Sequence, residues 1–126
     1  MEGPPRRDTS IEDYQALLSI RIEEMANKTW RGGGTFNFSV SPESKIFIMR
    51  AFHFQIAETF GFDESETLTA GYIRVEKGTG KVLTVDFKHP DFQRNPAFKK
   101  SARDLANFQA AVRSKIEAVT GPSGNP

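Results

Sequence analysis

The 126-residue chain contains no cysteine. That excludes disulfides, thiolate metal sites and cysteine nucleophiles, and it fits a reducing compartment. Histidine is scarce. His53 and His89 are the only two, and they stand on separate stretches. No His or carboxylate cluster has zinc or EF-hand spacing, so no metal and no cofactor are expected. Neither His is spaced with a nucleophile and an orienting group, so no catalytic residue is expected and the chain reads as non-enzymatic. Gly78-Thr-Gly80 lies between two β-rich runs, not before a helix, which argues against a phosphate-cradling loop. No apolar run is long and uninterrupted enough for a bilayer span, and residues 1–8 lack the apolar core of a secretory leader. Cytoplasm or nucleus is the expected location, with no membrane partner. Tryptophan and tyrosine are rare, one and two copies, against eleven Phe. Some of those Phe are expected to do more than fill a core.

The formal charge is only +1. It divides unevenly. Residues 1–69 hold seven basic and eleven acidic side chains, and residues 70–126 hold ten and five. A basic second half points to an anionic partner.

Along the chain, residues 1–8 are rich in Pro and charge and are expected to be disordered. Thr9-Ser-Ile-Glu12 reads as a capping box. Ile11, Tyr14, Leu17, Leu18, Ile22 and Met25 then predict an amphipathic helix over about 10–28. Arg31-Gly-Gly-Gly34 reads as a flexible break. Phe36, Phe38 and Val40 alternate with polar residues and predict a strand over 35–40. The stretch 41–61 opens on Ser41-Pro42 and closes on Gly61, the residue types of a helix start and stop. Between them apolar residues point nearly all round a helix, so 41–61 is expected to be a buried central helix. Residues 71–76 and 81–87 predict a β-hairpin around Lys77-Gly-Thr-Gly80. Residues 88–99 read as a loop. Ser101-Ala-Arg-Asp104 is a second capping box. It opens a helix with Leu105, Phe108, Val112, Ile116 and Val119 on one face, ending near Gly121-Pro122. Residues 121–126 form a loose tail.

The expected fold is therefore α+β and two-layered. A three-stranded antiparallel sheet carries helices packed on it in the order α-β-α-β-β-α, as a single domain over 9–120.

Two constellations could bind a ligand. Arg50 sits among apolar neighbours, and an unpaired buried guanidinium would cost several kcal/mol, so it must pair, reach water or face a ligand. On a helix Phe54 would lie one turn away, giving a cation beside an aromatic face. The second constellation is 87–100, where three Phe interleave with Lys88, Arg94, Lys99 and Lys100. Single-strand binders combine stacking rings with such a basic track.

Arg50-Ala-Phe-His-Phe-Gln-Ile-Ala-Glu-Thr-Phe-Gly-Phe62 resembles the signature of the single-stranded nucleic-acid-binding family named for an Arg and a His one helical turn apart, the R-3-H domain. Arg50 matches the Arg, Ile56-Ala-Glu58 the middle run and Gly61-Phe62 the end. Phe54 stands at the position of the family's His, with His53 one place early, so the match is degenerate. Tyr72-Ile-Arg-Val75 falls where the family has a basic strand, with Arg74 on a basic position. The resemblance covers roughly 10–87. It implies a non-catalytic domain binding single-stranded RNA or DNA through Arg50, His53, Phe54 and Arg74, with Lys88, Arg94, Lys99 and Lys100 added from the loop. The alternative is a protein-interaction or assembly subunit on the same fold with nucleic-acid binding lost. A protein partner or a second copy would then dock on the C-terminal helix.

Overall fold

Phe36, Phe38 and Val40 are fully buried, and the strand that carries them, β2 (Gly34–Val40), lies at the centre of a five-stranded sheet. The computed structural model describes residues 9–87 and 102–119. Their order is α1 (Ile11–Leu17), β1 (Ser19–Ile22), α2 (Glu24–Lys28), a 3-10 turn (Trp30–Gly32), β2, β3 (Lys45–Met49), α3 (His53–Phe60), a second 3-10 turn (Glu64–Glu66), β4 (Thr69–Val75), β5 (Val82–Phe87) and α4 (Ala102–Glu117). The strands lie β1-β3-β2-β4-β5, with β1 parallel to β3 and every other neighbouring pair antiparallel. The three-stranded antiparallel sheet expected from the sequence is thus corrected to a five-stranded mixed one. Its β2-β4-β5 part is the antiparallel unit that was expected.

The largest correction falls on 41–61, which is not one helix. Ser41-Pro-Glu-Ser44 is the turn that joins β2 to β3. The Ser44 N–H donates to the Ser41 carbonyl at 2.9 Å, and Ser44 takes a positive φ of 67°. Pro presets φ at the second position of such a turn as readily as at a helix start, so the Ser-Pro signature serves both. Ile46, Phe47 and Ile48 are all buried because β3 is covered on both faces. A strand buried on both faces loses its period of two and looks apolar all round. Only His53–Phe60 is helical, closed by Gly61 in the left-handed conformation at φ 79°.

The expected helix over 10–28 divides into α1, β1 and α2. Leu18 and Ile22 share a face in a helix and in a strand alike, whereas Ile20 between them fits only the strand. Here β1 pairs with β3, Ile20 with Ile46 and Ile22 with Ile48. The α1 cap is Ser10, not Thr9. The Ser10 hydroxyl accepts from the Asp13 N–H at 3.1 Å, while the Thr9 N–H donates to the buried Asp104 at 2.8 Å. Arg31–Gly34 is ordered rather than a flexible break. Gly33 is buried at φ 75°, and a Cβ there would stand 2.7 Å from the Lys77 backbone nitrogen. The expected disorder at 1–8 and 121–126, the loop at 88–99 and the Ser101 cap lie outside the described residues.

The register sorts the side chains into two faces, since paired residues share a face. Phe36 pairs with Ile73 and Ile73 with Val85, Phe38 with Ile48, and Val40 with Ile46. This face is closed by α1 and α4 through Tyr14, Leu18, Phe108, Val112 and Ile116. The Tyr14 and Phe108 rings meet edge to face at 5.0 Å, and the Tyr14 hydroxyl donates to Asp104 at 2.8 Å. The opposite face carries Arg21, Phe47, Ser39 and Ala70 across one row and Asn37, Tyr72 and Asp86 across another. α3 covers the first row. Phe60 stacks on Phe47 at 3.9 Å, and Ile56 and Ala57 are buried. Helices therefore lie on both faces, where a two-layer arrangement was expected. The second row, with Thr35 and Arg74 beyond it, stays open.

Candidate functional site

Arg50 lies just past the end of β3, not inside a helix, and the stretch 29–36 holds it at three residues. Its Nη2 donates to the Gly33 carbonyl at 2.6 Å and to the Thr29 carbonyl at 3.4 Å, and its Nε donates to the Thr29 hydroxyl at 3.3 Å. The guanidinium carbon stands 4.1 Å from the centroid of the buried Phe36 ring. This cation–aromatic contact caps the open end of the core. Nη1 makes no hydrogen bond among the described residues. It lies against Gly34, where a Cβ would approach it to 3.2 Å.

Beside Arg50 the sheet face forms a depression of about 280 Å³, lined by Thr35, Asn37, Arg50, Ala51, Phe52 and Gln55. Its floor is the start of β2, which runs beyond the last β3 pair, Asn37 with Met49. The Asn37 amide nitrogen donates to the Ala51 carbonyl at 2.7 Å, which fixes the amide with its oxygen as the remaining acceptor. The Gln55 side-chain oxygen accepts from the Phe52 N–H at 3.0 Å. That satisfies one orphan amide at the start of α3 and leaves the Gln55 nitrogen as donor. The α3 N-terminus opens on the same depression, and its dipole favours an anion there.

One aromatic ring, Phe52, lines it, and two more are tied to its lining residues. Phe52 is 68% exposed and Phe54 48%, unusual values for phenylalanine, and their rings stack at 6.0 Å and 12°. Tyr72, 41% exposed, pairs directly opposite Asn37. Arg74 is exposed and pairs opposite Thr35. Asp86, opposite Tyr72 on its other side, is the carboxylate that β5 adds to this face.

Of the expected site residues, the structure places Arg50 in the lining of the depression, Phe54 on the ring of its Phe52 and Arg74 opposite its Thr35. The helical turn expected to link Arg50 and Phe54 is absent. Phe54 reaches the site through its stack on Phe52. His53 is turned inward, with Nε2 2.9 Å from the Gly71 carbonyl, where it ties α3 to β4. Lys88, Arg94, Lys99 and Lys100 lie outside the described residues. Sequence reasoning missed Phe52, Tyr72, Thr35, Asn37 and Gln55. The signal for Tyr72 was present, because alternation in Gly71-Tyr-Ile-Arg-Val75 puts Tyr72 and Arg74 together, opposite the buried Ile73 and Val75.

Chemically the site offers flat apolar surface, two cations, and amide donors and acceptors. Among the described residues, no group of three His, Asp or Glu gathers as a metal site would require, and no helix is long and apolar enough to cross a membrane. No family model, curated protein or solved structure matches the chain.

Proposed function

We propose that this chain is a non-catalytic binder of single-stranded RNA or DNA, working in the cytoplasm or nucleus, and that bases stack on the open half of the sheet face. The observation that carries the reading is three exposed rings tied to one polar depression: Phe52 lines it with Arg50, Phe54 stacks on Phe52, and Tyr72 and Arg74 pair opposite its Asn37 and Thr35. A ring on a strand and a ring pair at the start of α3 suit unstacked bases, each stack being worth about 1–3 kcal/mol. The arginines supply charge for phosphates. The binding class is the one that the resemblance of residues 50–62 implies.

The test uses labelled single strands of RNA and DNA at low and moderate salt, with Tyr72→Ala and Phe52→Ala beside the parent chain. Both side chains are exposed, so melting temperatures should stay close to the parent's. Affinity should fall about tenfold or more for each, in line with one lost stack. Absence of single-strand affinity at low salt overturns the reading. The exposed Phe pair would then belong to a protein contact.

A further inference from the structure

The edge strand β5 holds one irregularity, and it decides which way Asp86 points. Val82 pairs with Val75 and Val85 with Ile73, and all four are buried on the core face. The two β4 residues are two apart, as a regular strand requires, but the two β5 residues are three apart. The extra residue is a bulge at Leu83, between Val82 and Thr84. Strict alternation from Val82 would turn Asp86 toward the core. The bulge shifts the period by one, so Asp86 instead faces the open half of the sheet, directly opposite Tyr72. Asn37 lies opposite Tyr72 on its other side. Asn37, Tyr72 and Asp86 therefore form one row across β2, β4 and β5, about 10 Å from end to end at the ordinary strand spacing.

Asp86 is exposed, and its side chain makes no hydrogen bond or ion pair among the described residues. Glu76, just past the end of β4, accepts from the Thr79 hydroxyl at 2.6 Å and belongs to the hairpin turn. A carboxylate in the row with Tyr72 repels phosphates, so on a face that takes a nucleic-acid strand it has to meet a base edge instead. Ionised, it is an acceptor only, with two oxygens side by side. Guanine presents two adjacent donors to such a pair, N1–H and the N2 amino group. Uracil and thymine present one N–H between two carbonyl oxygens, and cytosine and adenine set a ring acceptor beside their amino group. We infer that Asp86 makes this face selective for guanine, its two oxygens accepting from N1–H and N2–H of a base stacked on Tyr72. Side chains on a strand stand roughly perpendicular to the sheet, and directly opposed Cβ atoms are about 5 Å apart, which sets the carboxylate at the rim of a base lying on the ring. The inference rests on the single-strand reading of the Arg50 end.

The test is fluorescence polarisation with labelled hexamers, in RNA and in DNA. One strand is all uracil or all thymine, a second carries one guanine, and a third carries hypoxanthine in its place, which lacks only the N2 amino group. The guanine should raise the parent's affinity about tenfold, within the range of one bidentate base contact, and hypoxanthine should lose most of that gain. Asp86→Asn replaces one oxygen by a donor and should bring the three affinities close together. Its melting temperature should stay near the parent's, because the side chain is exposed. Asp86→Glu keeps both oxygens and should keep a guanine preference. A parent chain that binds all three hexamers alike overturns the inference and leaves the Arg50 site standing. An Asp86→Asn chain that keeps the parent's preference overturns it as well, since Asp86 would then only charge the sheet edge. A parent chain that binds none of the hexamers overturns both readings.

Discussion

Arg50→Ala should cost stability as well as affinity. The guanidinium gives one short charge-assisted hydrogen bond to the Gly33 carbonyl and lies over the buried Phe36 ring. Hydrogen bonds from charged groups contribute about 1.5–3 kcal/mol, and the lower end applies because Arg50 is solvent-exposed. The contact with Phe36 adds about 0.5–1 kcal/mol. The contacts to Thr29, at 3.3 and 3.4 Å, are too long to add much. The expected loss is about 2 kcal/mol. For a domain of this size, that is a fall of about 10 °C in melting temperature. Arg50→Lys keeps a charge but cannot both stack on Phe36 and reach Gly33, so it should fall roughly halfway. The assay is chemical unfolding followed at the Trp30 fluorescence, since Trp30 packs on Phe36 at 4.8 Å and reports this end of the core. A loss below about 0.5 kcal/mol in the Ala variant, the range of an ordinary surface substitution, would refute the assignment of Arg50 as a core cap.

Gly71→Ala should prevent folding. A Cβ there would fall far inside van der Waals contact with the Asp86 carbonyl oxygen and 2.8 Å from the Phe87 Cα, both backbone atoms that cannot yield. A cooperative melt at the parent temperature would refute this. Asp63 should titrate below its ordinary value, because the Ser65 N–H and hydroxyl donate to its carboxylate at 2.9 and 2.8 Å. A depressed folded value means the turn at Glu64–Glu66 is supported above the ordinary carboxylate range and loosens as pH falls through the lowered value. An NMR titration in which Asp63 matches a free peptide would refute it.

The parts of the fold legible in the sequence are those with one buried face. β2 alternates cleanly because α1 and α4 cover one side of it at Phe36, Phe38 and Val40. β4 and β5 were legible from the glycine turn between them, where Gly78 and Gly80 take φ of 91° and 75°. α4 shows a helical period over sixteen residues, long enough to be unambiguous, with Phe108, Val112 and Ile116 buried. β3 was illegible because burial on both faces erases the period on which the strand assignment depends. β1 is four residues long, and its Ile22 fits a helical stripe once Leu17, Leu18 and Met25 are counted with it. Leu17 and Met25 prove to be exposed, so the stripe was an accident of spacing. At the site, Arg50, Phe54 and Arg74 were legible by residue type. Phe52 was not, because within a supposed buried helix an extra Phe reads as core.

The change at 41–61 alters what Arg50 is. On a helix its surroundings would come from its own turn, and its long side chain would order only when a ligand arrived. Past the end of β3 it is positioned by Thr29, Gly33 and Phe36, none of them on its own element. An arginine side chain carries about 2 kcal/mol of rotamer entropy. Here folding has already removed much of it, so a ligand group at Nη1 meets a donor fixed in place and loses less affinity to ordering. The same anchoring couples stability to affinity at this residue. Tyr72 and Arg74 project from the face of β4 and carry no comparable tertiary contacts among the described residues, so their substitution should move affinity alone. The two classes can therefore be separated by plotting loss of binding against loss of stability. Arg50 variants should fall off the axis on which Tyr72 and Arg74 variants lie. A common line through all three would mean that Arg50 is no better fixed than its exposed neighbours.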